Sequence, residues 1–412
     1  MQKKILIILS VICCVFLLSS VAYSITWDEV RAIGEQSSNQ LKSAEKQVES
    51  SEWSYRRAFS TFLPQLSANA GMTESGLGSE EGTSKSYSYG LSATEYLFKG
   101  LEDFYGVQSS YANLEYSKAD LRSVKASVLY DLRVAYVDLA VTQENVKLLE
   151  QIYNQRKENS KLIKLRYDSG REDKGNLMST QASEAQALYD LNVSKRDLEL
   201  AMLKLSQLLN ARTTAEAESV EPNAVEKIDF DKLMVNVPDY VKAGKQLEIA
   251  ELSQNETISG FLPSLSLSGN YSKRGGEWPP DTENKSWSLN LSYNFFPGGS
   301  NIADRAISSA NLEKAREDFK KSSKDLRFSL EEAFNNLGNA LEALKVASLS
   351  QSASTERERI TVVKYLNGLI GYDEWSRIED TYIQAQKSVL GAKKNALLSE
   401  AAWHKEYGGW VK

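Results

Sequence analysis

Apolar residues occupy every second position in two stretches of the chain, residues 264–273 and 285–296, with Ser and Asn at most positions between them. Because successive strand side chains point to opposite faces, each stretch predicts a β-strand with one apolar face and one small, uncharged polar face. Gly275-Gly276 and Pro279-Pro280, between the two stretches, predict the loop of a hairpin. Aromatic residues flank both ends of the apolar face, which is typical of transmembrane barrel strands.

An earlier part of the chain repeats this arrangement. Residues 65–74 and 86–98 alternate in the same way, around a loop rich in Gly, Ser and Glu. Both hairpins begin after Leu-Pro and close on Phe-x-Gly; the residues concerned are Pro64, Phe98 and Gly100 in the first copy and Pro263, Phe296 and Gly298 in the second. Pro263 follows Pro64 by 199 residues, and Phe296 follows Phe98 by 198. A register this constant predicts a tandem duplication.

Long helices are predicted after each hairpin. Between Val107 and Ser169 the chain has no Gly and no Pro, and apolar residues recur at steps of three, four and seven. This spacing is typical of a coiled-coil seam, and the helix would be about 90 Å long. A turn at Ser169-Gly170 and a return helix to about Asn210 predict an antiparallel helical hairpin. The second repeat predicts the same: a long helix from Asn301, a turn at Gly368 and a return helix to about Glu406.

The remaining segments complete a predicted domain order. Residues 1–24 read as a secretory signal peptide, with a basic start and a short apolar core; a membrane anchor is the alternative, for which that core is short. Residues 25–212 form the first repeat and residues 239–412 the second, each opening with a polar-rich helix (26–60 and 239–260). Residues 213–238 form a less regular segment between them. All seven prolines fall at predicted boundaries.

Four strands per chain cannot close a barrel, and unpaired strand edges are not tolerated in lipid. The smallest transmembrane barrels have eight strands, so the chain is expected to oligomerise. A dimer would supply eight strands and a trimer twelve. The expected architecture is a ring of protomers with a barrel at one end and a helical tube at the other.

The duplicated order of helix, Leu-Pro, strand hairpin, Phe-x-Gly, long helix, Tyr-x-x-Gly turn and return helix resembles the TolC family of outer-membrane efflux proteins. The resemblance covers nearly all of the chain after the signal peptide. It implies a mainly α protein with a membrane β-barrel: a homotrimer with a shared 12-stranded barrel in the outer membrane and an α-helical tunnel in the periplasm. It also implies an exit duct for tripartite efflux or type I secretion, with a periplasmic adaptor (membrane fusion) protein and an inner-membrane transporter as partners.

The resemblance further places a periplasmic gate and adaptor-docking tip at the two helical turns, residues 167–176 and 365–374. The candidate residues there are Tyr167, Gly170, Arg171, Glu172, Asn176, Tyr365, Gly368 and Glu374. Family members have an acidic residue six positions after each Gly, and this chain has Asn176 and Glu374 at those places. Ile370 stands where the family has its gate arginine, so an inherited salt-bridge lock is not expected.

Two hypotheses concern charge. Some of the charged residues Arg171, Glu172, Asp173 and Lys174, together with Glu374, would hold the tip closed between protomers. A solvated charged turn is an equally good interpretation, because exposed ion pairs contribute little. The Ser- and Asn-rich strand faces predict a neutral bore with little ion selectivity of its own.

Other function classes find little support. The net charge of −6 is scattered, which disfavours nucleic acid as a partner. His404 is the only histidine and is expected to be a surface residue, and both cysteines lie inside the signal peptide. No cofactor, metal or catalytic activity is therefore expected. The alternatives are a periplasmic coiled-coil tether without a pore and, more remotely, a secreted enzyme with helical insertions. The cargo stays open between drugs, metals and proteins.

Overall fold

The computed structural model describes residues 24–76, 83–212, 216–223 and 228–410. The predicted signal peptide lies outside the described residues up to Tyr23. Helices dominate the structure; they are α1 (Trp27–Ser37), α2 (Asn39–Ala58), α3 (Glu102–Asp168), α4 (Lys174–Leu209), α5 (Phe230–Met234), α6 (Pro238–Glu256), α7 (Ser300–Leu366) and α8 (Tyr372–Tyr407). None of these helices, within the described residues, is both long and apolar enough to cross a membrane.

The duplication is visible in the helix lengths. Helices α3 and α7 each contain 67 residues, and their return helices α4 and α8 each contain 36. Short 3₁₀ turns, Phe59–Phe62 and Thr257–Phe261, precede the two strand hairpins. The predicted combination of four strands with two long helical hairpins is therefore confirmed.

Six strands are present in the described residues: β1 (Ser24–Ile25), β2 (Gln65–Ser75), β3 (Ser84–Lys99), β4 (Glu216–Ala217), β5 (Ser264–Gly275) and β6 (Thr282–Ser292). Strands β1 and β4 form a short parallel pair. The other four form one antiparallel sheet in the order β2-β3-β5-β6. The two hairpins are thus joined edge to edge through β3 and β5.

Across neighbouring strands of this sheet, most polar residues face polar residues and most apolar residues face apolar residues. Ser67 lies opposite Ser92, and Ser268 lies opposite Ser288, with hydroxyl oxygens 2.6 Å and 2.8 Å apart. Apolar residues face one another in the same way, as Leu265 and Leu291 do. Because facing residues lie on the same side of a sheet, one side is mainly polar and the other mainly apolar. Glu95, which faces Leu267, and the Lys273–Glu283 pair interrupt the apolar side towards the two ends of the strands.

Two details of the strands differ from the sequence prediction. The register shifts between Tyr96 and Phe98, so a bulge at Leu97 places Phe98, and not Leu97, opposite apolar Leu265. Strand β6 ends at Ser292, whereas the alternation predicted a strand to residue 296. The next partner along β5 would be Pro263, which has no N–H to donate, and the pairing stops there.

The single helix predicted for residues 26–60 is also wrong, because the chain forms α1 and α2 with a break at Ser38. Ser38 has extended backbone angles (φ −62°, ψ 118°), and its hydroxyl accepts a hydrogen bond from the Leu41 N–H at 3.3 Å. It therefore ends one helix and caps the next. Thr26 and Glu29 form a capping box at the start of α1.

The chain divides into two compact units, and each unit draws on both repeats. One unit comprises the described residues up to Leu41, Val124–Leu233 and Phe328 onwards; the other comprises Lys42–Ser123 and Met234–Arg327. The first unit contains a core of long-helix side chains, including the fully buried Leu132 and Tyr136, and both helical turns. The second unit contains the four-stranded sheet.

Candidate functional site

The two helical turns share one backbone geometry. Gly170 (φ 71°) and Gly368 (φ 73°) both adopt left-handed conformations, which glycine takes without a steric penalty. Each glycine N–H donates to the carbonyl three residues earlier, at 2.9 Å and 3.0 Å, and the following N–H donates to the carbonyl five residues earlier, at 2.8 Å and 2.9 Å. These are Schellman motifs, which satisfy the last carbonyls of α3 and α7.

An aromatic stack fills the space between the turns. The rings of Tyr365 and Trp375 are parallel within 3°, with centroids 4.6 Å apart. Ile163 of α3 packs against them, and all three side chains are buried, Tyr365 to 2% exposure. Ile370, at the position of the family's gate arginine, is a partly buried member of the same cluster. This position is therefore apolar packing and not part of a charged lock in this protomer.

Glu172 connects the two turns by polar contacts. Its Oε2 accepts a hydrogen bond from the Tyr365 hydroxyl at 2.7 Å, and its Oε1 accepts one from the Asn176 side chain at 2.8 Å. The Arg166 guanidinium lies over the Tyr365 ring, 4.7 Å from its centroid, with Nε 3.9 Å from Glu172 Oε2. Burial, followed by the hydrogen bond to Glu172, raises the pKa of Tyr365 above its ordinary value.

We refer to Arg166, Glu172, Asn176, Tyr365 and Trp375 as the tip cluster. The sequence singled out Glu172, Asn176 and Tyr365, and the structure brings these three together. Arg166 and Trp375 were missed, although a basic residue in the last helical turn and an aromatic residue in the first are both visible signals.

The other predicted tip residues lie outside this cluster. Arg171 and Glu374 are exposed, and neither side chain makes a hydrogen bond or ion pair with any residue that the structure describes. Tyr167 is exposed beside its turn. Asp173 instead caps α4, because its carboxylate accepts from the Asn176 N–H at 2.9 Å. A lock between protomers through Arg171 and Glu374 stays a prediction.

A second polar group joins α3 to α8 in the same unit. Arg156 Nη1 donates to Glu379 Oε2 at 2.8 Å, its Nη2 contacts Asp380, and Asn159 donates to Glu379 Oε1. Glu379 is only 2% exposed, and burial raises its pKa to about 7. We call Arg156, Asn159, Glu379 and Asp380 the carboxylate cluster. The sequence analysis missed it, because Arg156 and Glu379 are 223 positions apart.

The residues predicted at the ends of the strand hairpins flank the sheet at one end. Pro64 and Pro263 directly precede β2 and β5, and Phe98 is the penultimate residue of β3, two positions before Gly100. Gly100 (φ 64°) is crowded, since a Cβ there would lie 2.9 Å from backbone atoms of Ser259. Its repeat equivalent Gly298 (φ 68°) has open space instead, and the neighbouring Phe296 is exposed.

His404 is not the surface residue that the sequence led us to expect. Its ring stacks on Trp410 with centroids 4.8 Å apart, and Nδ1 lies 2.8 Å from the Tyr407 hydroxyl. Burial lowers its pKa below the ordinary value. Among the residues described, no three His, Cys, Asp or Glu side chains converge as a metal site.

Comparison with known proteins identifies a family that this chain matches in both repeats. Residues 34–211 and 231–408 match the family model described as "Outer membrane efflux protein". The chain is 24% identical over 410 residues to the "Probable outer membrane lipoprotein SilC" of Salmonella typhimurium, covering 92% of this chain and 86% of that protein.

Two solved structures share the fold. The structure of CusC, from a study of folding and transmembrane channel formation, has a TM-score of 0.85 at 14% identity and covers 92% of this chain and 91% of its own. The open-state MtrE outer membrane channel of Neisseria gonorrhoeae has a TM-score of 0.83 at 19% identity, covering 94% and 89%.

Proposed function

Because the chain belongs to the outer membrane efflux protein family, we propose that it is the outer-membrane exit duct of a tripartite efflux pump or a type I secretion system. It is a passive conduit: a periplasmic adaptor protein and an inner-membrane transporter deliver the cargo and the energy. Three copies assemble, each contributing four strands to one barrel and two helical hairpins to one tunnel. The family is one of channels in the outer membrane.

The segregated faces of the four-stranded sheet carry this proposal. The apolar face is solvent-exposed in the single protomer, with Leu91 at 59% and Leu291 at 68% exposure. Exposed apolar surface of this extent calls for lipid or a partner. The opposite face is covered with hydroxyl and amide groups, as the wall of a water-filled bore requires.

The sheet edges support assembly from several copies. Strands β2 and β6 each pair with a single neighbour within the described residues. Unpaired backbone groups are not tolerated in the hydrocarbon region, so β6 of one protomer pairs with β2 of the next. Three copies close the barrel at twelve strands, in line with the homotrimers of the family.

The tip is the proposed gate and adaptor-docking site. The turn residues Tyr167, Gly170, Tyr365 and Gly368 form it, and Glu172 joins its two turns. Apolar side chains that nothing covers in the protomer surround these turns, with Leu165 at 68% and Leu369 at 73% exposure. Such side chains suit contact with an apolar helical tip of a partner.

The experiment is to reconstitute the purified protein into planar bilayers and record single channels. Discrete conductance steps with little cation or anion preference are expected. Conductance that is absent from correctly inserted protein would favour a tether without a pore.

A pair of adjacent substitutions tests which face meets lipid. Leu91→Lys places a charge on the apolar face in the middle of β3, where burial in lipid costs about 2–4 kcal/mol, and should abolish membrane assembly. Ser92→Lys places the same charge on the polar face and should assemble, with added anion preference. Equal assembly of both variants would contradict the assignment.

A further inference from the structure

One basic side chain lies on the polar face of the four-stranded sheet, near the end of the sheet that carries the hairpin loops. The alternation in the sequence predicted a strand to residue 273, whereas β5 continues to Gly275. Arg274 is therefore paired, and it lies opposite Ser88 of β3 and Thr282 of β6. Because facing residues share one side of a sheet, Arg274 belongs to the polar face.

Charge is rare on this polar face. In the described residues of β2, β3, β5 and β6, its positions hold Ser, Thr, Asn, Gln, Gly and Tyr, apart from Arg274 and Lys99. Lys99 lies at the opposite end of the sheet, and its Nζ is 3.5 Å from the Asp103 carboxylate. Arg274 is exposed and makes no hydrogen bond or ion pair with any residue that the structure describes. On that part of the polar face, Arg274 thus supplies a positive charge that no carboxylate balances.

The loop between β5 and β6 leans towards the other face of the sheet. The Trp278 ring in this loop lies against Tyr87 and Tyr89 of β3, with centroids 6.1 Å and 6.0 Å away. Both tyrosines belong to the apolar face of β3, because they alternate with its serines. The loop therefore folds outside the sheet at Trp278, and Arg274 stays open to water.

We propose that Arg274 forms an anion-attracting ring at the outer mouth of the duct, with one guanidinium from each protomer, and that this ring favours the exit of negatively charged cargo. The proposal rests on the proposed function, because a ring needs a closed barrel around water. The long helices follow the end of the sheet at which β5 begins, and Arg274 lies at the other end, which faces the exterior. Rings of basic side chains are a common source of anion selectivity in pores.

The size of the effect depends on the width of the bore and on the salt concentration. Twelve strands about 4.8 Å apart and tilted by about 40° enclose a circle of about 12 Å radius, which puts the guanidinium groups about 8 Å from the axis. Three unit charges at about 8 Å in water enrich a monovalent anion on the axis about threefold at about 0.1 M salt and about 1.2-fold at about 1 M. The ring therefore acts at moderate and low salt, whereas at high salt the bore behaves as a neutral one.

The test measures the reversal potential of the intact oligomer in planar bilayers under a gradient of potassium chloride. Near 0.1 M, the chloride-to-potassium permeability ratio should be lower in Arg274→Gln than in the wild type by up to about threefold, and the difference should vanish near 1 M. Arg274→Glu should shift the ratio further towards potassium, and Arg274→Lys should keep the wild-type ratio. The acidic residues of the loops are the same in all these proteins, so the comparison isolates Arg274.

Lys273→Gln is the matched control. Lys273 is the neighbour of Arg274 on β5, but it faces Tyr89 and Glu283 on the apolar side of the sheet. Its replacement removes the same charge from outside the bore and should leave the permeability ratio unchanged. Equal shifts in Lys273→Gln and Arg274→Gln would overturn the proposal, because the face that carries the charge would then not matter.

A single-channel version keeps the test decisive if a charge change disturbs assembly. Both cysteines of the chain lie in the predicted signal peptide, so Arg274→Cys introduces the one thiol of the mature protein. A negatively charged thiol reagent added to an inserted channel should shift the ratio towards potassium, and a positively charged reagent should shift it towards chloride. The same ratio before and after both reagents would overturn the proposal.

The outcomes separate this proposal from the proposed function. If the wild type forms no channels, the duct is contradicted and the ring is contradicted with it. If the wild type and the Arg274 variants form channels with equal permeability ratios near 0.1 M, the duct stands and the ring alone fails.

Discussion

The hydroxyl of Tyr365 donates a hydrogen bond of 2.7 Å to Glu172, across 193 positions of the sequence. It joins the last turn of α7, in the second repeat, to the turn that follows α3, in the first. The Tyr365 ring is at the same time stacked between Trp375 and the guanidinium of Arg166. One side chain therefore couples the two helical hairpins at the proposed gate.

Replacement of Tyr365 by Phe should loosen the tip without removing its core. The ring keeps its stack on Trp375, but Glu172 loses a donor, and a hydrogen bond to a charged group contributes about 1.5–3 kcal/mol. We expect higher single-channel open probability and a lower unfolding midpoint. Tyr167→Phe, at the equivalent position of the first repeat, is the control and should match the wild type. Equal behaviour of the two variants would rule out the coupling.

Lys393 should anchor the segment that connects the repeats. Its side chain, 11% exposed, lies 2.9 Å from Glu144 and 2.7 Å from Glu221, which belongs to that segment. Lys393→Met should lower the free energy of unfolding by about 2 kcal/mol, because it removes two ion pairs that contribute up to about 1 kcal/mol each. Lys394→Met removes one pair, from a lysine that is 39% exposed to Asp138, and should cost less than about 1 kcal/mol. Denaturant titration measures both, and a larger loss in Lys394→Met would contradict this assignment.

The equivalent glycines of the two hairpins should differ in their tolerance of a side chain. Gly100→Ala and Gly298→Ala both strain a left-handed backbone, which costs about 1–2 kcal/mol. Gly100→Ala must in addition displace the Ser259 backbone, 2.9 Å from the new Cβ, whereas Gly298→Ala meets open space. Heat stability of the assembled protein should therefore fall further in Gly100→Ala. The opposite ranking would show that the crowding at Gly100 is relieved elsewhere.

His404 should contribute stability that is lost in acid. Burial lowers its pKa below 6.5, so the unfolded chain binds a proton more readily than the folded chain. The contribution of neutral His404 to the free energy of unfolding is complete above pH 6.5, and it falls as the pH drops through the folded-state pKa. The difference in unfolding midpoint between the wild type and His404→Gln should be largest at pH 7.5 and narrow at pH 5.5. Glu379 is present in both proteins, so its own pH dependence cancels in this difference. A difference in unfolding midpoint that grows as the pH falls would refute the assignment.

Periodic and duplicated features could be predicted from the sequence. The alternation in residues 65–74 and 264–273 predicts both that the segment is a strand and which side chains share each of its faces, because side chains in a strand repeat every two residues. The 198-residue spacing of Tyr167 and Tyr365 placed both turns, since glycine three residues later is the residue that a left-handed helix end favours.

Contacts between distant helices could not be predicted in this way. The Arg156–Glu379 and Glu172–Tyr365 pairs depend on which side of each helix faces the other, and helical charge patterns leave that open over 67-residue helices. The bulge at Leu97 was missed because Leu97 and Phe98 are both apolar, so either fits the alternating pattern. The break at Ser38 was missed because Ser is tolerated inside a helix as well as at its cap.

The central claim is that several copies complete one barrel in the outer membrane, and the mass of the assembled protein tests it most directly. The mature protein should be extracted from outer membranes in mild detergent and its protein mass measured by light scattering. We expect a detergent-dependent species of three protomers, because four strands per copy then close at twelve. A monomer or dimer that stays in solution without detergent would contradict the account, since the apolar face of the sheet would then not be a lipid-facing surface.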